Sequence, residues 1–375
     1  MQPTRKPLTT ARRLVIKLGS NVVAKPNGQI NTALIRRLAS EIAGVEAAGK
    51  EIILISSGAV RVGSARLGRQ TRPDDLPARQ AAATVGQGEL IAAYRSAFAR
   101  HNQPIGQILL TQADIADSRR YLHLRNTLFS LRDLGVIPIL NENDPVSIRG
   151  VEIGENDRLA ALIAAKVDAD LVVLLSDVEG FFTCDPRQDP SAELIHEVTR
   201  LTPQLCDRAA GPAGGGRGGM RSKLEAARAA MKSGVYLVIV RGSLPNALSR
   251  VLAGEEIGTL FVPEVEKLRS RKRWIGFALA PRGQVIVDAG ARRALMERGS
   301  SLLPVGVREV LGDFRQGDAV SIVADGEEIA RGLVNYSAEE VRAMRGCHSR
   351  EIAARIGYRN FDEVIHRDNL VVLTS

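Results

Sequence analysis

The chain has 375 residues, 45% hydrophobic and 25% charged, the balance of an ordinary globular protein with a large first domain and a smaller second one. Its formal charge of +9 divides as +7 over residues 1–262 (33 Lys and Arg against 26 Asp and Glu) and +2 over 263–375 (18 against 16), which suits small anionic ligands as well as nucleic acid. Three cysteines (Cys184, Cys206, Cys347) without C-x-x-C spacing, and five scattered histidines, argue against a disulfide framework or a zinc site.

No apolar run approaches the roughly 20 residues of a membrane-spanning helix. The basic start "MQPTRKPLTTARR" leads into "LVIKLG", which is too short for the apolar region of a signal peptide. The expectation is a cytoplasmic protein with no membrane partner.

In chain order, aliphatic runs at 13–18, 51–56, 105–110, 136–140, 170–175 and 235–240 predict strands. Amphipathic stretches such as "TALIRRLASEIAGVEAAG" and "NTLFSLRDLG" alternate with them as helices. Near-continuous aliphatic strands separated by helices imply a mostly parallel sheet covered on both faces. Ligands bind such sheets beyond the carboxyl ends of the strands, so the residues that follow each strand matter most.

The first strand ends in Lys17, and Gly19-Ser20 allow a turn whose amides could face an anion. The second ends in "SSG", where helix capping is the simplest reading of Ser56 and Ser57. After the fourth comes Asn141-Glu142-Asn143-Asp144-Pro145, more amide and carboxylate groups than one turn requires. Asn156-Asp157 then open a helical pattern, and Ser176-Asp177 close the fifth strand. The glycine-rich run 211–219 leads into "MRSKLEAARAAMKSG", a loop-to-helix arrangement suited to phosphate, although Gly-Lys-[Ser/Thr] is missing. Lys223 is expected in the first turn of that helix, where a cation is disfavoured unless an anion binds nearby.

Residues 263–275 change character to a charged run and are expected to be a linker between domains 1–262 and 276–375. Beyond it, "GQVIVD" and "GDAVSIVADGEEIARGLVNY" predict a small, mainly β module, with Trp274, Phe277, Phe314 and Tyr336 as its core aromatics.

The motifs "IKLGSN", "ISSGAV", "LNENDPVS", "GENDRLAALIA", "LLSDVEGFFTCDPR" and "GGMRSKLEAA", in this order, resemble the amino acid kinase family over roughly residues 12–262. Within it they are similar to the members that phosphorylate the side-chain carboxylate of L-glutamate, and residues 276–375 resemble a PUA module. The resemblance implies a three-layer α/β/α sandwich with a mostly parallel central sheet, plus a mainly β PUA domain. It implies ATP as co-substrate with Mg2+, and no metal ligands from the protein. It maps glutamate binding onto Ser57, Asp144 and Asn156. It maps ATP binding onto Lys17, Ser176, Asp177 and the stretch Arg217, Gly218, Gly219, Met220, Arg221, Ser222 and Lys223. Lys17, Lys223 and Asp157 are mapped as catalytic, with Asp157 orienting the two lysines. Arg217 stands where the family's loop usually carries Thr, and an Arg can pair with phosphate. Proline as a feedback inhibitor and a homo-oligomer also follow from the resemblance alone.

These residue types suit the chemistry. A glutamate carboxylate has a reference pKa near 4.3, so it is ionised at neutral pH and needs no general base. The difficulty is bringing one anion to another, which calls for positioning and for cations around the phosphoryl group. Alternatives are a family member acting on acetylglutamate, aspartate or carbamate, and RNA binding through the C-terminal module. "NEND" offers negative charge to a free α-ammonium, which argues against acetylglutamate, and the +2 charge of 263–375 argues against RNA.

Overall fold

The computed structural model describes residues 3–69, 75–147, 155–202, 205, 219–264 and 280–373. The predicted linker therefore lies, apart from Pro263 and Glu264, outside the described residues, as do Arg217, Gly218, Trp274 and Phe277. The chain divides into two compact units, one formed by Met1–Gln112 and Thr127–Lys267, the other by Ala113–Asn126 and Leu268–Ser375.

All six predicted strands form. In the first unit they are β1 (Arg13–Leu18), β2 (Glu51–Ser56), β3 (Ile105–Leu110), β4 (Ile137–Glu142), β5 (Leu171–Ser176) and, after the short β6 (Glu197–Val198), β7 (Tyr236–Arg241); β8 (Thr259–Phe261) completes the sheet. The order is β3-β4-β2-β1-β5-β7-β8-β6. Strands β3 to β7 of that order pair in parallel, β8 runs antiparallel to β7, and β6 is parallel to β8. β1, β2, β4 and β5 are buried almost throughout, which is why they read as unbroken aliphatic runs, whereas β3 at the edge is partly exposed. Each fully buried aliphatic side chain in these strands contributes about 1.5–3 kcal/mol relative to exposure.

The main helices along residues 32–232 are α1 (Thr32–Ala47), α2 (Ala59–Arg66), α3 (Leu76–Phe98), α4 (Ser118–Asp133), α5 (Glu155–Lys166) and α6 (Gly219–Lys232). Asn31 caps α1 by accepting from Leu34 N, and Asp75 caps α3 by accepting from Ala78 N. Side chains alternate along β1. Leu14, Ile16 and Leu18 join a core with Ile35, Leu38 and Ile42 of α1 and Tyr94, Ala97 and Phe98 of α3. Lys17 points to the opposite face, where α5 packs on β1 and α6 packs on α5. The result is the three-layer α/β/α sandwich expected.

α2 and α3 cross at glycines. A Cβ on Gly63 would lie 1.7 Å from Ala82 O, and one on Gly86 would lie 1.9 Å from Ala59 O, so only glycine allows this approach. The N-terminal residues brace the far edge of the sheet. Arg5, fully buried, donates to the carbonyls of Glu255 (2.7 Å), Ile257 (3.2 Å) and His196 (2.9 Å) beside β6 and β8.

The second unit holds a five-stranded sheet: β9 (Gly283–Val287), β10 (Val307–Gly312), β11 (Ala319–Ala324), β12 (Glu327–Leu333) and β13 (Leu370–Val372), in the order β10-β9-β11-β12-β13. All pairs are antiparallel except β9 with β11. Phe314 and Tyr336 are buried in its core, as expected. Residues 113–126, which sequence reasoning assigns to the first domain, belong to this unit. Tyr121 and Leu122 are buried with Ala319 and Leu333, and the Arg125 guanidinium donates to Asp368 O and Asn369 Oδ1. No helix among the described residues is long and apolar enough to cross a membrane.

Candidate active site

The chain turns back at β1: β2 to β4 lie on one side of it and β5 on the other. The crevice at the carboxyl ends of β1 and β5 is therefore a topological switch point. In register, Lys17 lies beside Ile55 of β2 and Leu174 of β5. Its ammonium contacts Asp157 Oδ1 at 2.5 Å. Asp157 is the third residue of α5, where the helix N-terminus favours a carboxylate. Its other oxygen contacts Lys223 Nζ at 3.2 Å and accepts from Ser222 Oγ at 2.9 Å. Two cations from residues 206 positions apart thus share one carboxylate, all three residues at most 8% exposed.

The electrostatics follow from this count of charges. Burial alone would raise the Asp157 carboxyl, but the two ammonium groups, with hydrogen bonds from Lys17 and Ser222, outweigh it and hold it below the usual carboxylate range. Burial lowers the Lys17 ammonium, Asp157 opposes that shift, and Lys223 adds to it. Within this trio positive charge exceeds negative by one, an excess that the Asp177 carboxylate offsets in part and that favours an anion entering the crevice.

Lys223 is the fifth residue of α6, not in its first turn as sequence reasoning expects. The helix begins within the glycine run, at Gly219, and the Lys223 ammonium curls back to donate to Gly219 O at 3.1 Å. The charge therefore still sits at the first turn, where the Gly219 carbonyl and the Asp157 carboxylate offset the unfavourable helix dipole.

A second cluster lies at the ends of β2 and β4. Asn156 Nδ2 reaches Ser57 Oγ (2.9 Å), Ser56 O (3.1 Å) and Asn141 Oδ1 (2.9 Å). Asn156 Oδ1 is buried with no hydrogen-bond partner among the described residues. Asp144, 6% exposed, opens a single 3-10 turn (Asp144–Val146), and its carbonyl accepts from Gln80 Nε2 at 3.2 Å. The serines of "SSG" are not caps. The residue before α2 is Gly58, at φ +102°, and no side chain caps that helix; Ser56 instead meets Tyr94 OH at 2.9 Å and Ser57 meets Asn156.

At the β5 end, Asp177 Oδ1 accepts from Ser176 Oγ (3.0 Å) and Oδ2 from Asn21 Nδ2 (2.7 Å). Burial opposes the ionised form, but these bonds and Lys223 hold the carboxyl below its ordinary value. The Gly19 amide is taken by Leu175 O at 3.0 Å, so an anion at this turn would meet the Ser20 and Asn21 amides instead. Gly219 and Met220 begin α6, and Arg221 is exposed and paired with Glu225 at 3.3 Å.

Asn21 stands in "IKLGSN" without an assigned role, and Gln80, Gln87 and Tyr94 lie outside every motif. The last three recur every seventh residue of α3, a stripe on one helix face, and that spacing is the signal that could have found them.

The family model "Amino acid kinase family" matches residues 12–241, and the model "PUA domain" matches residues 283–356. Three curated relatives, all called "Glutamate 5-kinase", match almost end to end. The one from Myxococcus xanthus (strain DK1622) is 46% identical over 98% of both chains. The one from Moorella thermoacetica (strain ATCC 39073 / JCM 9320) is 46% identical over the same shares. The one from Thioalkalivibrio sulfidiphilus (strain HL-EbGR7) is 46% identical over 100% of both. With its parallel sheet, its switch-point crevice and this end-to-end likeness, the chain belongs to the amino acid kinase family and carries a PUA domain.

Proposed function

We propose that this chain is a glutamate 5-kinase: it transfers the terminal phosphoryl group of ATP to the side-chain carboxylate of L-glutamate, giving L-glutamyl 5-phosphate and ADP in the cytoplasm, the first step from glutamate towards proline. The observation that carries this reading is the buried Lys17–Asp157–Lys223 cluster, one carboxylate holding two ammonium groups at the carboxyl ends of the strands. The end-to-end likeness to glutamate 5-kinases supports the choice of acceptor.

In this reaction a glutamate carboxylate oxygen forms a bond to the terminal phosphorus as the bond from that phosphorus to the ADP oxygen breaks, and the electron pair leaves with ADP. Lys17 neutralises the phosphoryl group in transit and Lys223 the oxygen that departs with ADP. Asp157 holds both ammonium groups in place before the substrates arrive, so little reorganisation is needed during transfer. Asp144 receives the α-ammonium of glutamate, and Asn156 and Ser57 offer neutral hydrogen bonds. Asn156 Oδ1, buried and unpartnered among the described residues, fits a donor on the substrate. Ser176, Asp177 and the stretch Arg217 to Lys223 receive the nucleotide.

Magnesium supplies further charge neutralisation when it accompanies ATP. Asp157 has both oxygens engaged by cations, and Asp177 has both engaged by neutral donors. This donor set fits a metal held by phosphate oxygens and water rather than by protein carboxylates.

The test is ADP release by the purified chain with ATP, Mg2+ and one acceptor at a time: L-glutamate, N-acetyl-L-glutamate, L-aspartate or carbamate. Turnover is expected with L-glutamate. Turnover with N-acetyl-L-glutamate in its place would overturn the assignment, since the Asp144 clamp has no role for a neutral nitrogen.

A further inference from the structure

The crossing of α2 and α3 at Gly63 and Gly86 brings one stripe of α3 against the strand ends that the proposed function assigns to the amino acid. Gln80 holds the turn after β4 by donating to Asp144 O (3.2 Å) and Ser147 O (3.4 Å). Tyr94, buried, meets Ser56 Oγ at 2.9 Å, and Ser56 in turn donates to Ser57 O at 3.2 Å, which makes Tyr94 the donor. Between them, Gln87 Oε1 accepts from Asn141 Nδ2 at 2.6 Å.

The direction of these amides is settled by backbone groups whose polarity is unambiguous. The Glu142 N–H donates to Asn141 Oδ1 at 2.9 Å, so that atom is an oxygen and the nitrogen of Asn141 faces Gln87. Asn156 faces the Ser56 carbonyl with its nitrogen at 3.1 Å, and the same nitrogen faces Asn141 Oδ1. What remains of Asn156 is its oxygen, buried and unpartnered among the described residues.

We infer that Gln87 is a positioning residue that reinforces the polarity of the substrate pocket: its oxygen and the Glu142 N–H together hold Asn141, Asn141 Oδ1 and the Ser56 carbonyl together hold the Asn156 nitrogen, and Asn156 is thereby obliged to present an acceptor to the bound amino acid. Gln87 needs no contact with substrate to do this. The inference deepens the glutamate-kinase reading and rests on it for the identity of the occupant, but the relay is a property of the pocket whatever acceptor fills it.

The experiment compares Gln87→Met, Gln87→Glu and Gln87→Lys with the wild-type chain. It uses steady-state kinetics with the acceptor that the wild-type chain phosphorylates in the substrate panel, and thermal unfolding alongside. All four residues at this position are good helix formers, so α3 is preserved. Gln87→Met keeps the length but removes the acceptor, and KM for the amino acid should rise about tenfold, the worth of one hydrogen bond. KM for ATP should be unchanged, and the melting temperature should fall by only a few degrees, since the buried Asn141 nitrogen loses this partner while α3 stays intact. Gln87→Glu keeps an acceptor facing Asn141 and should hold KM near the wild-type value. Gln87→Lys sets a donor against a donor and should raise KM beyond Gln87→Met. Equal effects of Met and Glu, or a parallel rise in KM for ATP, would overturn the relay. Failure of the wild-type chain to use L-glutamate would instead sink the proposed function and leave the relay to be judged by these variants on the acceptor that is used.

Discussion

Asp157→Asn removes one negative charge and changes little else in volume. Asp157 Oδ1 lies 2.5 Å from the Lys17 ammonium and Oδ2 lies 3.2 Å from that of Lys223. With an effective dielectric constant of about 20, Coulomb's law gives these contacts a gross attraction of roughly 7 and 5 kcal/mol. Mutual repulsion of the two lysines and desolvation of all three groups cancel much of it. Removing one partner of a buried ion pair costs about 3–5 kcal/mol, because the other charge is left unpaired. For a unit of this size each kcal/mol shifts Tm by about 2–4 °C, so the variant should melt ~6–20 °C below the wild type at pH 7. Adding Lys17→Met to Asp157→Asn should restore part of the loss, since one of the two stranded cations is gone.

The pH dependence gives this prediction a second edge. Asp157 is depressed below its ordinary 3.8, so its contribution is present above that pH and lost as the pH falls below it. In Asp157→Asn the buried Lys17 loses its counter-charge, and its folded pKa falls further below the ordinary 10.5. The unfolded chain then binds more protons, and the stability of the variant should rise as the pH is raised towards about 10. Chemical denaturation followed by circular dichroism at several pH values reads both effects. A variant as stable as the wild type, with the same pH profile, would refute the claim that this carboxylate holds two charged amines.

Three further outcomes follow from the same geometry. Lys17→Ala should lower kcat by roughly 100- to 1,000-fold, the usual worth of one transition-state contact, while the unfolding profile stays cooperative; near-normal turnover in the ADP assay would remove Lys17 from the chemistry. Asp144→Ala should raise KM for glutamate roughly 10- to 100-fold, as loss of a charge-assisted hydrogen bond does, and leave KM for ATP unchanged. Gly86→Ala places a methyl group 1.9 Å from Ala59 O, and denaturation should show a loss of at least about 1–3 kcal/mol.

The strands were legible because burial on both faces of a parallel sheet demands unbroken aliphatic runs, and β1, β2, β4 and β5 satisfy that demand locally. The location of the candidate site was legible for a related reason: polar residues at or just past the carboxyl ends of such runs, such as Lys17, Asp144 and Asp177, have to gather at one edge of the sheet. What the sequence could not convey is convergence between distant segments. Capping was the simplest reading of Ser56 and Ser57 because their true partners, Tyr94 and Asn156, are 38 and 99 residues away. The sharing of Asp157 by Lys17 and Lys223 likewise depends on α5 and α6 packing side by side. Gln87 looks like any glutamine on a helix until Gly63 and Gly86 bring α3 against the strand ends. Residues 113–126 lie between β3 and β4 in the chain, yet Tyr121 and Leu122 are buried with Ala319 and Leu333 of the second unit.

The most direct test is a crystal structure of the chain with a non-hydrolysable ATP analogue, Mg2+ and L-glutamate. The account expects both the Lys17 and Lys223 ammonium groups against phosphate oxygens, Asp157 still between them, and the glutamate side-chain carboxylate facing the terminal phosphorus. A nucleotide whose phosphates lie away from this pair of amines would contradict it.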